Sequence, residues 1–529
     1  MYVTLIVFVA VAMITNCVLL SVWFIVDIYM LEVVYASIPV ANLSLSFSFI
    51  QILFYLMLGL CGFISVNYGL YYLGFFNDFK SNYLFYTMFG FLLTMLALVT
   101  TGNLITTLIF WEYLGVVSFF LILYYQNMFG LRASLITLIT SRAGDVFLFL
   151  LCGYFFYELD SINIGSVLFV SSLVFVVGSK SAFYPMVSWL LEAMRAPTPV
   201  SALVHSSTLV AAGVWFVSSY GSILLIPSFT SVGVICCILT VYITFLCSLT
   251  IKDVKKIVAL STSNNISWCL IYIFSGYCWL GLIQLLSHGV GKCLYFVVMG
   301  DIMSKNDGGQ HSAGHYPHNS SFSLVGLFGS VFCLSGLPFL GIYFSKHFFF
   351  GDSYSDSSNL LFWLILLGGL LGTNLYSVRL LVICNGLVSG QKYSLENSFI
   401  GSLLFLPCML LFNYCITFGL EEGFENTSLL CFLINISLMV GWVTGGYYFG
   451  YGRENGGLSG LPTFFWNSTL GCLDYLVDFF VYSYRWLFWG VSVVLYRWDS
   501  FTVMAYYGVL QNTYVVLGLS SFVLLTIYF

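Results

Sequence analysis

The stretch Gly178 Ser179 Lys180 Ser181 Ala182 Phe183 Tyr184 Pro185 lies inside an apolar run from 165 to 191. A run of that length crosses a hydrocarbon core of ~30 Å as a helix. Pro185 removes a backbone donor, so the helix breaks beside the lysine. The same arrangement recurs at Lys346, which follows Gly336, Pro338 and Gly341 in the run 322 to 350. Two broken helices, each with a lysine and in corresponding halves, are expected of a transporter built from inverted repeats. Broken helices free carbonyls and admit water. Desolvation there weakens a lysine's hold on its proton and a nearby carboxylate restores it, which makes the residue a switchable proton carrier.

The rest of the chain extends this pattern. Of 529 residues, 60% are hydrophobic and 7% are charged, against roughly 25% charged in a soluble domain. Water is therefore not the main solvent, and no stretch is left for a soluble catalytic domain. Further spans are expected at 3 to 26, 46 to 66, 83 to 100, 103 to 125, 133 to 157, 200 to 220, 231 to 250, 256 to 275, 279 to 300, 360 to 384, 399 to 419, 428 to 449 and 511 to 529. With the two broken runs these make an all-α polytopic membrane protein of about fifteen crossings. Met1 to Ala10 carries no basic or Arg-rich leader pattern, so the first helix is expected to insert and stay. The fifteen cysteines include no pair at the two-residue spacing of a zinc or redox motif, and read as small buried hydrophobes.

Assigning the loops alternately to two faces sorts the basic residues completely. One face holds Lys80, Arg132, Arg195, Lys252, Lys255, Lys256, Lys305, Lys392 and Arg453, with Arg379 at a helix end nearby. The other holds only acids, namely Asp27, Glu32, Glu158, Asp160, Asp352, Asp356, Glu421, Glu422 and Glu425. By the positive-inside rule the basic face, and the N-terminus with it, is expected inside, and Phe529 outside.

Arg142, Lys180, Lys292, Lys346, Glu112 and Asp145 remain at membrane depth. Each costs at least ~2.5 kcal/mol there and needs a partner, a wet cavity or a function. Arg142 and Asp145, three apart on one helix face, fit a structural pair and a transport role equally. Glu112 has no opposite charge on its own helix and must find one on another. Gln284, His288 and Lys292 are spaced i, i+4, i+8 and share one helix face, so His288 can relay protons to Lys292. His205 lies among Ser201, Ser206, Ser207 and Thr208, whose hydroxyls are expected beside the imidazole, while Pro197 and Pro199 mark a helix start. His311, His315 and His318 sit in a Gly-rich loop that reads as solvated rather than metal-binding.

These motifs together resemble the chain 5 family of respiratory complex I (NADH:ubiquinone oxidoreductase), its antiporter-like, proton-translocating subunits, over about Leu43 to Phe350. The resemblance rests on Trp111 and Glu112 followed by Gly115, Ser118 and Phe119; on Arg142, Gly144 and Asp145; and on Gly178 to Ala182 with Ala196 to Thr208. It extends through Asp253 to Ser263, His288 with Lys292, and Gly336 to Lys346. It implies proton translocation by Glu112 and Lys180 as the pair of one half-channel, Lys292 as central relay and Lys346 leading outward. His205, His288, Asp145 and Gln284 are then accessory. Gln284 stands where the family often has histidine, and His347 where it commonly has aspartate, which alters the relay and the charge balance of the exit half.

The implied fold is a pair of inverted five-helix repeats, at 83–220 and 231–384, each with a discontinuous helix. N-terminal helices at 1–82 precede them, and further helices at 385–464 follow. Asp478, Arg485, Ser492 and Asp499 recur at seven-residue intervals within 465–510, a polar stripe suited to a helix along the membrane surface and reaching roughly 60 Å. The resemblance makes this the lateral helix, with 511–529 its terminal anchor. It places the chain in the mitochondrial inner membrane, N-terminus in the matrix and C-terminus in the intermembrane space, among other membrane-arm subunits and lipids such as cardiolipin. No dinucleotide turn or cluster ligands are visible, so NADH, FMN, iron–sulfur clusters and ubiquinone are expected in partner subunits. A Na⁺/H⁺ antiporter subunit of the Mrp type, or a sister complex I subunit, shares the two lysine-bearing breaks. A scaffold whose charges merely lock helices is the alternative from another class.

Overall fold

The computed structural model describes residues 48–72, 79–156, 167–221, 226–305, 321–337, 341–355, 360–384 and 428–451. All belong to one compact unit within positions 1–469. The expected spans 3 to 26, 399 to 419 and 511 to 529, the lateral helix, and His311, His315 and His318 lie outside them.

Among the described residues the regular elements are helices and there is no strand. They are α1 (Phe49–Tyr72), α2 (Phe79–Val99), α3 (Leu104–Ile122), α4 (Met128–Phe156), α5 (Val167–Ser181), α6 (Ser188–Glu192), α7 (Thr198–Leu203), α8 (Leu209–Ser219), α9 (Pro227–Thr250), α10 (Val254–Phe274), α11 (Cys278–Lys305), α12 (Ser321–Ser335), α13 (Tyr343–Ser355), α14 (Leu360–Cys384) and α15 (Ser428–Tyr451). Nine spans in this set are long and apolar enough to cross a membrane, and the chain is an integral membrane protein. The run 165 to 191 is interrupted between α5 and α6, and 322 to 350 between α12 and α13.

Helices form here because a bilayer cannot satisfy exposed backbone groups. The many hydroxyls in them turn inward to their own backbone: Ser118 donates to the Gly115 carbonyl at 2.7 Å and Ser172 to that of Phe169 at 2.7 Å. Small residues set the closest approaches between helices. A Cβ on Gly144 of α4 would lie 1.9 Å from the Ser179 hydroxyl of α5, so only glycine lets these helices meet.

Neighbouring helices pack in sequence, α2 through α5 and then α9 through α12, while α14 returns against α9 and α15 covers α14. Helices α10 and α11 run through the interior. Every residue of α10 except Lys256 is buried, and it touches α5, α6, α8, α9, α11 and α14. Its middle, Ser261 to Asn265 with Ser267, is polar all the same.

Several loop assignments change. Lys255 belongs to the first turn of α10 and is buried, its ammonium donating to the Ala196 carbonyl at 3.3 Å. Arg132 lies inside α4, which begins at Met128. Arg379 is buried within α14 and donates to the Ser248 carbonyl of α9. Helices α4 and α10 start earlier than apolar residues alone suggest, and Lys255 and Arg379 are accommodated because a long cationic side chain can bury its stem and deliver its head to a carbonyl.

Candidate functional site

Glu112, on α3, meets Arg142 of α4 at 3.1 Å. Arg142 also meets Asp145, one turn along α4, at 3.5 Å, and Asp145 Oδ1 lies 4.0 Å from Lys180 Nζ. The four groups alternate in sign from a third-exposed glutamate to a fully buried lysine. Glu112 therefore finds its opposite charge on the neighbouring helix, and reaches Lys180 through Arg142 and Asp145 rather than by direct pairing.

Lys180 closes α5, where the helix breaks. Its ammonium donates to the Trp111 carbonyl at 3.2 Å and sits 5.3 Å from the centre of the Trp111 ring, a cation–π contact. Gly115, one turn on from Trp111, adjoins the same place: a Cβ there would be in ordinary contact with Lys180 Nζ at 3.7 Å and tighter against the Ser141 hydroxyl at 3.2 Å.

The polar face of α11 is shared between two neighbours, α13 and α10. Gln284 accepts a hydrogen bond from Ser345 of α13 at 3.0 Å. Lys292, buried, donates to the Val258 carbonyl at 3.3 Å and to the Ser261 hydroxyl, both on α10. His288 lies between them, fully buried, with neither ring nitrogen hydrogen-bonded to a protein group among the described residues. That matters because buried polar atoms are ordinarily satisfied by protein or water.

Lys346, in the first turn of α13, reaches back across the second break. It donates to the carbonyl of Ser335, the last residue of α12, at 3.3 Å and to the Thr373 hydroxyl of α14 at 3.5 Å. A carbonyl at a helix end has lost its own i+4 donor, and the lysine replaces it. Gly336 and Gly341 make the break, with φ of +76° and +51°. His347 packs against Tyr343, ring centres 5.4 Å apart.

His205 stands apart from the α11 row, in the π-helical turn Val204–Thr208 between α7 and α8. Its ring is buried beside the Ala193 carbonyl and 6.1 Å from that of Trp189. The hydroxyls expected at the imidazole face the backbone instead: Ser201 donates to Thr198, Ser206 to Ala202 and Thr208 to Leu203. A helical hydroxyl has a carbonyl one turn back always within reach. Pro199 does sit in the first turn of α7.

The row Ser261 to Asn265 was missed as a polar centre, because isolated hydroxyl and amide groups in apolar helices commonly serve their own backbone. Here they do not all do so. Ser261 meets Lys292, Ser263 donates to the Ala182 carbonyl at 3.0 Å, and Asn264 donates to the Val241 carbonyl at 3.2 Å. The density of five polar residues in succession was the available signal. Glu192 was missed too; it pairs with Arg195 at 2.8 Å across one turn.

Residues 101–372, just over half of the chain, match the sequence model of the NADH:quinone oxidoreductase/Mrp antiporter transmembrane family. The chain belongs to this family. Among curated relatives, NADH-ubiquinone oxidoreductase chain 5 of Caenorhabditis elegans is 32% identical over 65% of this chain and 66% of its own length. The chain 5 of Ascaris suum is 30% identical over 64% of this chain and 63% of its own. The chain thus spans slightly under two thirds of these relatives. In fold it is similar to a chain of the Mrp complex from Dietzia sp., with a TM-score of 0.68 at 19% identity over 93% of this chain and 60% of that one. It is similar also to a chain of an archaeal membrane-bound sulfane sulfur reductase, with a TM-score of 0.67 at 16% identity over 84% and 94%. All the family-derived site positions from Glu112 to Lys346 fall inside the matched segment.

Proposed function

We propose that this chain carries protons outward across the mitochondrial inner membrane as the chain 5 subunit of respiratory complex I, driven by electron transfer from NADH to ubiquinone in other subunits. Glu112 and Lys180 serve the first half, Lys292 is the central relay, and Lys346 leads outward, with Asp145, His205, Gln284 and His288 accessory.

One observation carries the reading. Lys292 and Lys346 are buried, and the partners recorded for their ammonium groups are carbonyls and hydroxyls rather than carboxylates. A permanent charge so placed is costly, whereas a neutral amine keeps useful hydrogen bonds, so the site favours groups that gain and lose a proton. Lys180 differs in having a carboxylate, Asp145, 4.0 Å away.

The finer architecture follows the same reading: two inverted five-helix repeats at 83–220 and 231–384, about fifteen crossings, and the lateral helix 465–510 anchored by 511–529. The N-terminus lies in the matrix and the C-terminus in the intermembrane space. The partners are neighbouring antiporter-like subunits and membrane lipids such as cardiolipin. NADH, FMN, iron–sulfur clusters and ubiquinone belong to partner subunits.

The test is Lys180→Met and Glu112→Gln in the assembled complex. Assembly survives while protons moved per electron fall; an assembled complex with unaltered pumping refutes both assignments. Truncation at Phe465 is expected to weaken attachment to neighbours, seen as a smaller complex on a native gel. The likeness to the Mrp complex chain supports a second reading, a Na⁺/H⁺ antiporter subunit. Transport that requires Na⁺ and proceeds without NADH oxidation favours it.

A further inference from the structure

Ala182, the residue after α5, is fully buried and holds a φ of +54°, a conformation in which a β-carbon is strained. Its amide is held by the Gly178 carbonyl at 3.0 Å. Its carbonyl is held from outside the broken helix, by the Ser263 hydroxyl of α10 at 3.0 Å. Most serines around it behave otherwise, spending their hydroxyls on their own helix, as Ser179 does on Val176 and Ser181 on Val177.

Ser261 is two residues before Ser263. At 3.6 residues per turn the two project from nearly opposite sides of α10. Ser261 contacts the Lys292 ammonium on α11, and Ser263 clamps the strained residue two positions beyond Lys180. One buried helix thus touches both lysine sites, through Ser263 on one side and through Ser261 and the Val258 carbonyl on the other.

We infer that Ser263 is a positioning residue that ties the break carrying Lys180 to the site of Lys292, the tie running through the rigid body of α10. Relaxation of Ala182 out of its left-handed conformation moves its carbonyl and releases Ser263. Helix α10 is then free to shift or rotate, and the hold of Ser261 on Lys292 changes with it. Movement of Lys292 acts on the Lys180 break by the same route in reverse. This inference rests on the proton-carrying reading above.

The experiment uses Ser263→Ala and Ser263→Cys in the assembled, full-length complex reconstituted into liposomes, reading assembly, electron transfer and protons moved per electron. Both variants are expected to assemble and oxidise NADH. Protons per electron fall in Ser263→Ala towards the value for Lys180→Met, and less in Ser263→Cys, whose thiol still donates weakly. Ser263→Ala with an unchanged ratio overturns the inference. So does loss of assembly in both variants, or a fall of electron transfer and pumping in equal proportion, since either marks the hydroxyl as structural only. Lys180→Met, measured alongside, separates the two levels: if it lowers pumping and Ser263→Ala does not, the tie fails alone, and if it leaves pumping intact the functional reading fails with it.

Discussion

Lys180 Nζ and Asp145 Oδ1 lie 4.0 Å apart with both side chains almost wholly buried, and Arg142 stands 3.5 Å from the same carboxylate. Asp145 therefore serves two cations. Removing it strands more charge than removing either of them. Asp145→Asn is expected to cost about 3–5 kcal/mol, the penalty for breaking a buried pair, and Lys180→Met distinctly less. The double variant should recover part of the loss, because no buried ammonium is then left facing a neutral amide. Thermal stability of the purified complex checks the order; a double variant whose loss equals the sum of the two single losses would show that the pair is not coupled.

Gly144 adjoins Asp145 and sets its distance from Lys180. With the Ser179 hydroxyl 1.9 Å and its Cβ 2.7 Å from where a Gly144 Cβ would stand, Gly144→Ala must push α4 from α5. An overpacked core loses about 1–3 kcal/mol. Ser179→Gly should restore stability and pumping in the same background by vacating that space. Rescue by Ser179→Gly but not by a substitution remote from this contact, scored by assembly on a native gel, identifies the clash as the cause.

How far this site could be read beforehand depended on what each residue had to say alone. Lysines in apolar runs beside Gly and Pro announce themselves, because a charge at membrane depth needs an explanation and a proline breaks a helix wherever it occurs. Hence Lys180 and Lys346 fell at real breaks. The partnership of Glu112 with Arg142 was different: it depends on the rotation of α3 against α4, which no spacing within either helix encodes. The same limit hid Ser263, whose nearest carbonyl in sequence is one turn away while the one it bonds is 81 residues distant. Lys255 was misread because a basic residue at a helix start looks like a loop residue until a carbonyl from elsewhere is seen to receive it.

Gln284 and Ser345 share the hydrogen bond that joins α11 to α13. Gln284→Ala and Ser345→Ala should each weaken the complex by about 0.5–1.5 kcal/mol. Together they should cost little more than one alone, since both delete a single interaction. If Gln284 also relays protons, Gln284→Ala lowers protons per electron below the level of Ser345→Ala at matched stability. Equal pumping in the two variants would confine Gln284 to the structural bond.

The second break offers a graded test of whether Lys346 depends on its backbone. Gly336 and Gly341 both hold positive φ, so alanine at either carries the left-handed penalty of about 1–2 kcal/mol. Their surroundings differ. A Cβ on Gly336 meets Lys346 Cδ and Nζ at 3.6 Å, ordinary contact, whereas on Gly341 it would lie 2.5–2.9 Å from the backbone of Cys333. Backbone cannot step aside as a lysine stem can. Gly341→Ala should therefore destabilise the complex beyond the conformational penalty and displace the α13 helix that carries Lys346. Gly336→Ala should show the penalty alone and leave Lys346 within reach of the Ser335 carbonyl. Thermal stability and protons per electron, read on the same preparations, decide it: a Gly336→Ala complex as damaged as Gly341→Ala would mean that φ, and not the packing against Cys333, governs this break.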